Sequence, residues 1–248
     1  MINYGLFFIL AFFCEFIDTS IGGGYGTILT PVAIAFGINP LVIIPAILFS
    51  EICTGFVGGF AHHYFGNVNW KIVMVDGTLG LIGILLGVFV GVSISPTIMK
   101  LWIGIIILSC GILLILSLNK IYLVKHFKLK NDIPLTLLCS FNKGLSGGGY
   151  GPVSTAGLII VKADPKKAVG STIFSEGIVC LIGFIVYVLL GKASLMLNPL
   201  TITITVGALL ATLPAAYISN RLPREVLVKV ISVFMMVLGV YTLLKVFI

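Results

Sequence analysis

Charge is scarce in this chain. Only 9% of its 248 residues are Asp, Glu, Lys or Arg, against 59% hydrophobic, and a soluble domain could not cover its surface with so little polarity. Cysteine chemistry is lacking as well. Cys14, Cys53, Cys110, Cys139 and Cys180 stand apart inside apolar stretches without CxxC spacing, so they read as small core residues, not disulfides or metal ligands. There is no intramembrane His-x-x-x-His pattern, no P-loop, no dinucleotide fingerprint and no nucleophile-base arrangement. These absences argue against an enzyme, a bound cofactor or an ATP-driven pump. No basic n-region or small-residue cleavage site marks the N-terminus, so the first apolar segment is expected to stay in the protein. The net charge of +7 would suggest nucleic acid for a soluble protein. Here the basic residues punctuate hydrophobic spans and read as orientation signals, and no nucleic-acid partner is expected.

What is present is a series of apolar runs of about 20 residues, each enough to cross the hydrocarbon as helix, without the dyad alternation of barrel strands. The expected class is an all-α polytopic membrane protein. The sequence also repeats. Shifted by 125 residues, Gly22-Gly23-Gly24-Tyr25-Gly26 falls on Gly147-Gly148-Gly149-Tyr150-Gly151, Cys14 on Cys139, Pro40 on Pro165, and Phe49-Ser50-Glu51 on Phe174-Ser175-Glu176. The chain is therefore read as a tandem duplication, repeat 1 over 1–124 and repeat 2 over 125–248. Each repeat has an apolar segment broken by its glycines (2–36 and 133–161), then three spans: 40–64, 70–94 and 97–118, or 165–190, 196–219 and 224–247.

Basic residues decide whether the broken segments cross the membrane. If they cross, lysines and arginines divide evenly between the two sides. If they are re-entrant hairpins, one side collects Lys71, Lys120, Lys125, Lys128, Lys130, Lys162, Lys166, Lys167, Arg221, Arg224 and Lys229, and the other keeps Lys100, Lys192 and Lys245. The second distribution obeys the positive-inside rule. It makes the lysine-rich loops cytoplasmic and puts both termini outside. The arm 133–144 is about 18 Å of helix, enough to reach the bilayer middle. A hairpin plus three spans is an odd number of crossings, so the repeats are expected to be inverted, as in many secondary transporters whose substrate binds at the midplane. Gly87 with Gly91, and Gly207 with Ala211, read as close helix packing.

Glycine runs at membrane depth must be buried in protein or line a wet cavity. Pro152 suits a first helical turn and Thr27 can cap. Two half-helices thus begin at the tips, and their N-termini favour an anion. The alternative is that the glycines serve close packing alone. Glu15, Asp18, Glu51, Asp76 and Glu176 fall inside membrane segments, where unpaired acids are costly and mark a site, a pair or a proton relay. Glu51 and Glu176 are symmetry mates and read as protonatable couplers, because burial disfavours a carboxylate's charged form. Asp18 is grouped with them as an acid for proton coupling, and Glu15 and Asp76 read as structural. Lys143 is the mate of Asp18; either the two pair across the pseudo-twofold axis or Lys143 faces the anion. Ser50, Ser175, Asn142, Tyr25 and Tyr150, with Ser20 and Ser146, supply neutral donors for oxoanion oxygens. His62 and His63 read as a solvated helix end.

The paired motifs at 22–25 and 147–150, the eight hydrophobic segments and the basic central loop resemble the sulfite exporter TauE/SafE family, also called the 4-toluenesulfonate uptake permeases, over essentially the whole chain. The resemblance implies a carrier of sulfur-containing anions such as sulfite, sulfoacetate and other sulfonates, coupled to the proton gradient, with the anion at the two glycine tips. The expected protein is a multi-pass secondary transporter of the cell membrane working by alternating access. Its expected partners are a small-molecule anion, the lipid bilayer and protons, with a homodimer as an open alternative to a single bundle. Two rivals stand beside it: a divalent metal carrier using Glu51, Glu176 and Asp18, and a membrane scaffold that transports nothing.

Overall fold

The computed structural model describes residues 3–118, 133–161, 163–191 and 198–247. These form α1 (Tyr4–Ile21), α2 (Tyr25–Ala35), α3 (Pro40–Tyr64), α4 (Trp70–Gly91), α5 (Pro96–Leu118), α6 (Ile133–Ser146), α7 (Tyr150–Ile160), α8 (Pro165–Leu189), α9 (Pro199–Arg221) and α10 (Arg224–Phe247). No strand occurs among the described residues. Among them, α1, α3, α4, α8 and α9 are long and apolar enough to cross a membrane. The connection 119–132 with Lys120, Lys125, Lys128 and Lys130, the boundary between repeats, Lys162 and Lys192 all lie outside the described residues.

The helix starts follow from local chemistry. Asn39 and Asn198 precede Pro40 and Pro199, and each amide side chain accepts the backbone N–H two residues on, at 2.9 Å. Asp164 before Pro165 accepts from both Lys166 and Lys167 at 3.2 Å. Proline at the first helical position forfeits no hydrogen bond and the polar side chain satisfies an amide that the helix cannot.

Polarity is distributed inside out. Phe13, Phe60, Leu86, Phe89, Leu210 and Leu213 are exposed, while Glu15, Asp18, Glu51, Asp76, Lys143, Glu176 and many hydroxyl side chains are buried. An apolar rim around a polar interior is stable where the surroundings are hydrocarbon.

The helices of the two halves are exchanged in their packing. α1 lies along α9 and α6 along α4, while α3 packs on α8 and α5 on α10. Small residues make this possible. A Cβ on Gly83 would sit 2.6 Å from the Leu137 carbonyl oxygen, and one on Gly207 2.6 Å from that of Phe8. One turn further along α4, Gly87 and Gly91 meet the carbonyls of Phe141 and Leu145 in the same way, as the spacing predicts.

Direction can be read from the ends. Asn3, Phe36, Asn39 and Asn198 line one cavity, so α1, α3 and α9 begin, and α2 finishes, at the same end of the bundle. At the opposite end the Asn69 amide donates to Ser171 Oγ at 2.8 Å and Gly170 abuts His62. α8 therefore starts where α3 stops, and the two run antiparallel.

Gly87→Val should drive the α4 and α6 backbones apart and cost about 2 kcal/mol or more. A fall in the thermal midpoint of the purified protein checks this, with lipid-facing Leu86→Val as the control. An unchanged midpoint for Gly87→Val would contradict the packing described.

Candidate functional site

The two glycine turns meet, backbone against backbone, at the centre of the fold. Gly22 ends α1 in the left-handed region at φ 84°, and Gly147 does the same after α6 at φ 70°, a conformation that side chains with a Cβ resist. Gly148 lies against the Thr27 amide, with 2.7 Å left for a Cβ, and Gly151 against Gly23 with the same margin. Gly26 faces the Gly147 carbonyl even more closely. Packing thus accounts for glycine at most of these positions.

Several of the tip amides are engaged within the protein. Gly22 and Gly23 donate to the Asp18 carbonyl at 2.7 and 3.1 Å. The Asp18 carboxylate accepts from Tyr25 N, the first amide of α2, at 3.0 Å, so it caps α2. In the other tip Gly147 N donates to the Lys143 carbonyl, Gly148 N to Ser146 Oγ and Gly149 N to Thr27 Oγ1. Thr27 caps the opposing tip, not its own helix. Thr155 Oγ1 answers by donating to the Gly22 carbonyl at 2.6 Å. An anion at the α2 N-terminus would have to replace a carboxylate that is already there.

Lys143, fully buried on α6, takes a third arrangement beyond the two held open. Its ammonium is 2.7 Å from Glu176 Oε1 on α8 and also contacts Glu51 Oε2 on α3. The two glutamates, 125 residues apart in the sequence, are joined by Lys143. Ser50 and Ser175, one residue before them, bond to Tyr25 OH at 2.8 Å and Tyr150 OH at 3.0 Å. Each Tyr-Ser pair ties a hairpin tip to the glutamate-bearing helix of its own half. Glu15, Asp18, Glu51 and Glu176 then line one crevice with Thr54, Gly55 and Ile173, which is narrow at the scale of a water molecule.

Other placements differ from expectation. Asn142 Oδ1 accepts from Trp102 Nε1 at 2.7 Å, a contact that nothing in the spacing of the two residues announces. Ser20 bonds back to its own helix at the Phe16 carbonyl, and Ser146 does so at that of Asn142. His62 is buried, not solvated, with Nε2 3.0 Å from the Thr19 carbonyl; the close approach of α8 at Gly170 covers it. His63 is exposed as expected. Asp76 accepts from Thr136 Oγ1 at 2.7 Å and links α4 to α6, a structural role. For the metal rival, no group of three His, Cys, Asp or Glu among the described residues comes together in a way that could hold a metal ion.

A family model described as "Sulfite exporter TauE/SafE" matches residues 7–242. The chain is also 32% identical over 178 residues to a "Probable membrane transporter protein YtnM" of Bacillus subtilis (strain 168), an alignment covering 69% of this chain and 59% of that protein. No solved structure matches.

Lys143→Met should cost about 3 kcal/mol, because it strands two buried carboxylates. Adding Glu51→Gln and Glu176→Gln should return much of that loss. Thermal unfolding of the single and triple variants checks it, and equal midpoints for the two would contradict a stabilising triad.

Proposed function

The chain belongs to the sulfite exporter TauE/SafE family, and from that premise we propose that it is a secondary transporter for a small sulfur-containing anion, such as sulfite, sulfoacetate or another organosulfonate, coupled to protons and working by alternating access. The observation that carries this reading is the buried ammonium of Lys143 between Glu51 and Glu176, where the two glycine turns meet. A buried ammonium close to helix N-termini suits a sulfonate or sulfite group.

The carboxylates act as the anion's surrogates. Glu51 and Glu176 hold Lys143, and Asp18 holds the first α2 amide, so an anion can take these partners only when the acids give them up. Protonation does this directly: a neutral carboxyl group binds an ammonium far less strongly than a carboxylate does. Anion and proton therefore load together, and the pair crosses as a less charged unit. Ser50, Ser175, Asn142, Tyr25 and Tyr150 supply the neutral donors around it.

We read the halves as inverted repeats, and α1–α2 and α6–α7 as re-entrant hairpins. Support comes from the antiparallel course of α3 and α8 and from the matched exchange of α1 onto α9 and α6 onto α4. α2 has 11 residues, about 16 Å of helix, and runs back to the end where α1 starts. Rocking of one half against the other would open the centre first to one side and then to the other. Lys71, Lys166, Lys167 and Arg221 cluster at the end where α8 begins; Lys166 Nζ reaches the Asn220 carbonyl at 2.5 Å. We assign that end to the cytoplasm. At the opposite end the starts of α1, α3 and α9 surround a cavity of about 530 Å³, and their partial positive charge favours an approaching anion.

Thermal unfolding with sulfite, thiosulfate, sulfoacetate, taurine, sulfate or divalent cations added should show stabilisation by one sulfur anion, about 2.7 kcal/mol at roughly a hundred times its Kd. Stabilisation by a metal alone would remove the proposal. In proteoliposomes, anion affinity should rise as pH falls, and Glu51→Gln or Glu176→Gln should flatten that dependence. Affinity that rises with pH would instead indicate exchange of protons against the anion.

A further inference from the structure

Glu15 lies outside the triad, yet it completes the crevice beside it. Its side chain is 1% exposed, Oε1 accepts from Thr19 Oγ1 at 2.6 Å, and Oε2 has no hydrogen-bond partner among the described residues. Glu51 Oε1 and Glu176 Oε2 are likewise buried without a partner, and all three side chains line the same space with Asp18. Four acids thus share one crevice, and among the described residues the one buried ammonium beside it, that of Lys143, is held by two of them, Glu51 and Glu176.

That imbalance needs a cation. The crevice is narrow at the scale of a water molecule, and its acids do not converge as metal ligands. A proton is the cation that takes up no volume. It also resolves the orphaned oxygens, because a carboxylic acid donates where a carboxylate only accepts, and one proton placed between two carboxyl groups gives both oxygens a partner.

We propose that Glu15, Asp18, Glu51 and Glu176 form a proton-holding cluster that is already partly protonated at neutral pH before any anion binds, with Glu15 one of the acids that carries a proton. The titratable groups facing Glu15 are Asp18 and Cys14 on its own helix, Tyr25 on α2, Glu51 and, through Thr19, His62 on α3, and Glu176 on α8; Lys143 lies beyond Glu51 and Glu176, which hold its ammonium. The buried face of α9, which packs along α1, carries no titratable side chain. Glu15 therefore sits among acids, and the one strong base nearby is already held by the triad. The proposal rests on the proton-coupled reading only for the use of these protons in transport.

Infrared spectroscopy of the full chain in lipid, with no sulfur anion present, tests it. At neutral pH a carbonyl stretch of protonated carboxylic acids should appear, lose a component in Glu15→Gln and shift that component in Glu15→Asp. Glu15→Gln should also unfold at the same temperature as the parent at neutral pH, since a neutral amide replaces a neutral acid. Absence of the band at neutral pH, or a band unchanged by Glu15→Gln, would overturn the proposal. So would an absent band together with stabilisation by sodium over choline, which would make the cation a metal. Because no anion enters the measurement, a failed substrate panel leaves this result standing, and the converse also holds.

Discussion

A buried ammonium shared by two glutamates from different halves is the constraint on which the rest of the architecture depends. Lys143, Glu51 and Glu176 have almost no exposure, and charges taken out of water are tolerated only when the geometry with their partners is excellent and their remaining hydrogen-bonding groups are satisfied. That demand propagates outward. The tyrosines of the two tips lock the serines that precede the glutamates, and the tips are themselves held by reciprocal threonine bonds, Thr27 to Gly149 and Thr155 to Gly22. A hairpin shift large enough to free the ammonium has to strain or break several of these links at once.

The glycines reconcile two readings that compete at the level of sequence. They bring the tips together so closely that a Cβ would strike backbone at Gly148 or Gly151, which is a packing role. The same closeness brings both turns and the α2 and α7 starts to within reach of the acids, and a bulkier tip would leave no compact polar centre. Close packing is the means by which a polar site is assembled inside an apolar rim.

Much of this was legible in the sequence for stated reasons. The starts of three long helices could be read because capping is local: Asn39-Pro40, Asp164-Pro165 and Asn198-Pro199 each open a helix close to where a span is expected. The glycine breaks were legible because a run of glycines interrupts a helix, and the two turns at Gly22 and Gly147 fall where the sequence places them. What failed to show were relations across the fold. Lys143 takes up the glutamates rather than Asp18 because α6 touches α8, and α8 packs along α3 and so brings Glu51 beside Glu176, a fact of packing. Asp18 became a helix cap because the turn folds back on it. His62 is buried by an approach of α8 at Gly170, and Trp102 meets Asn142 from a helix whose pattern carries no polar signal.

The crossing of α1 onto α9 and of α6 onto α4 also bears on how the chain is made. When the first half leaves the ribosome, the surface against which α1 packs has not been synthesised, and Glu15 and Asp18 stand in the bilayer without Lys143. Contacts of such long sequence separation form late and slowly. α1 therefore reaches its final packing only after α9 has been made, and its buried acids meet Lys143 later than the rest of their own helix forms.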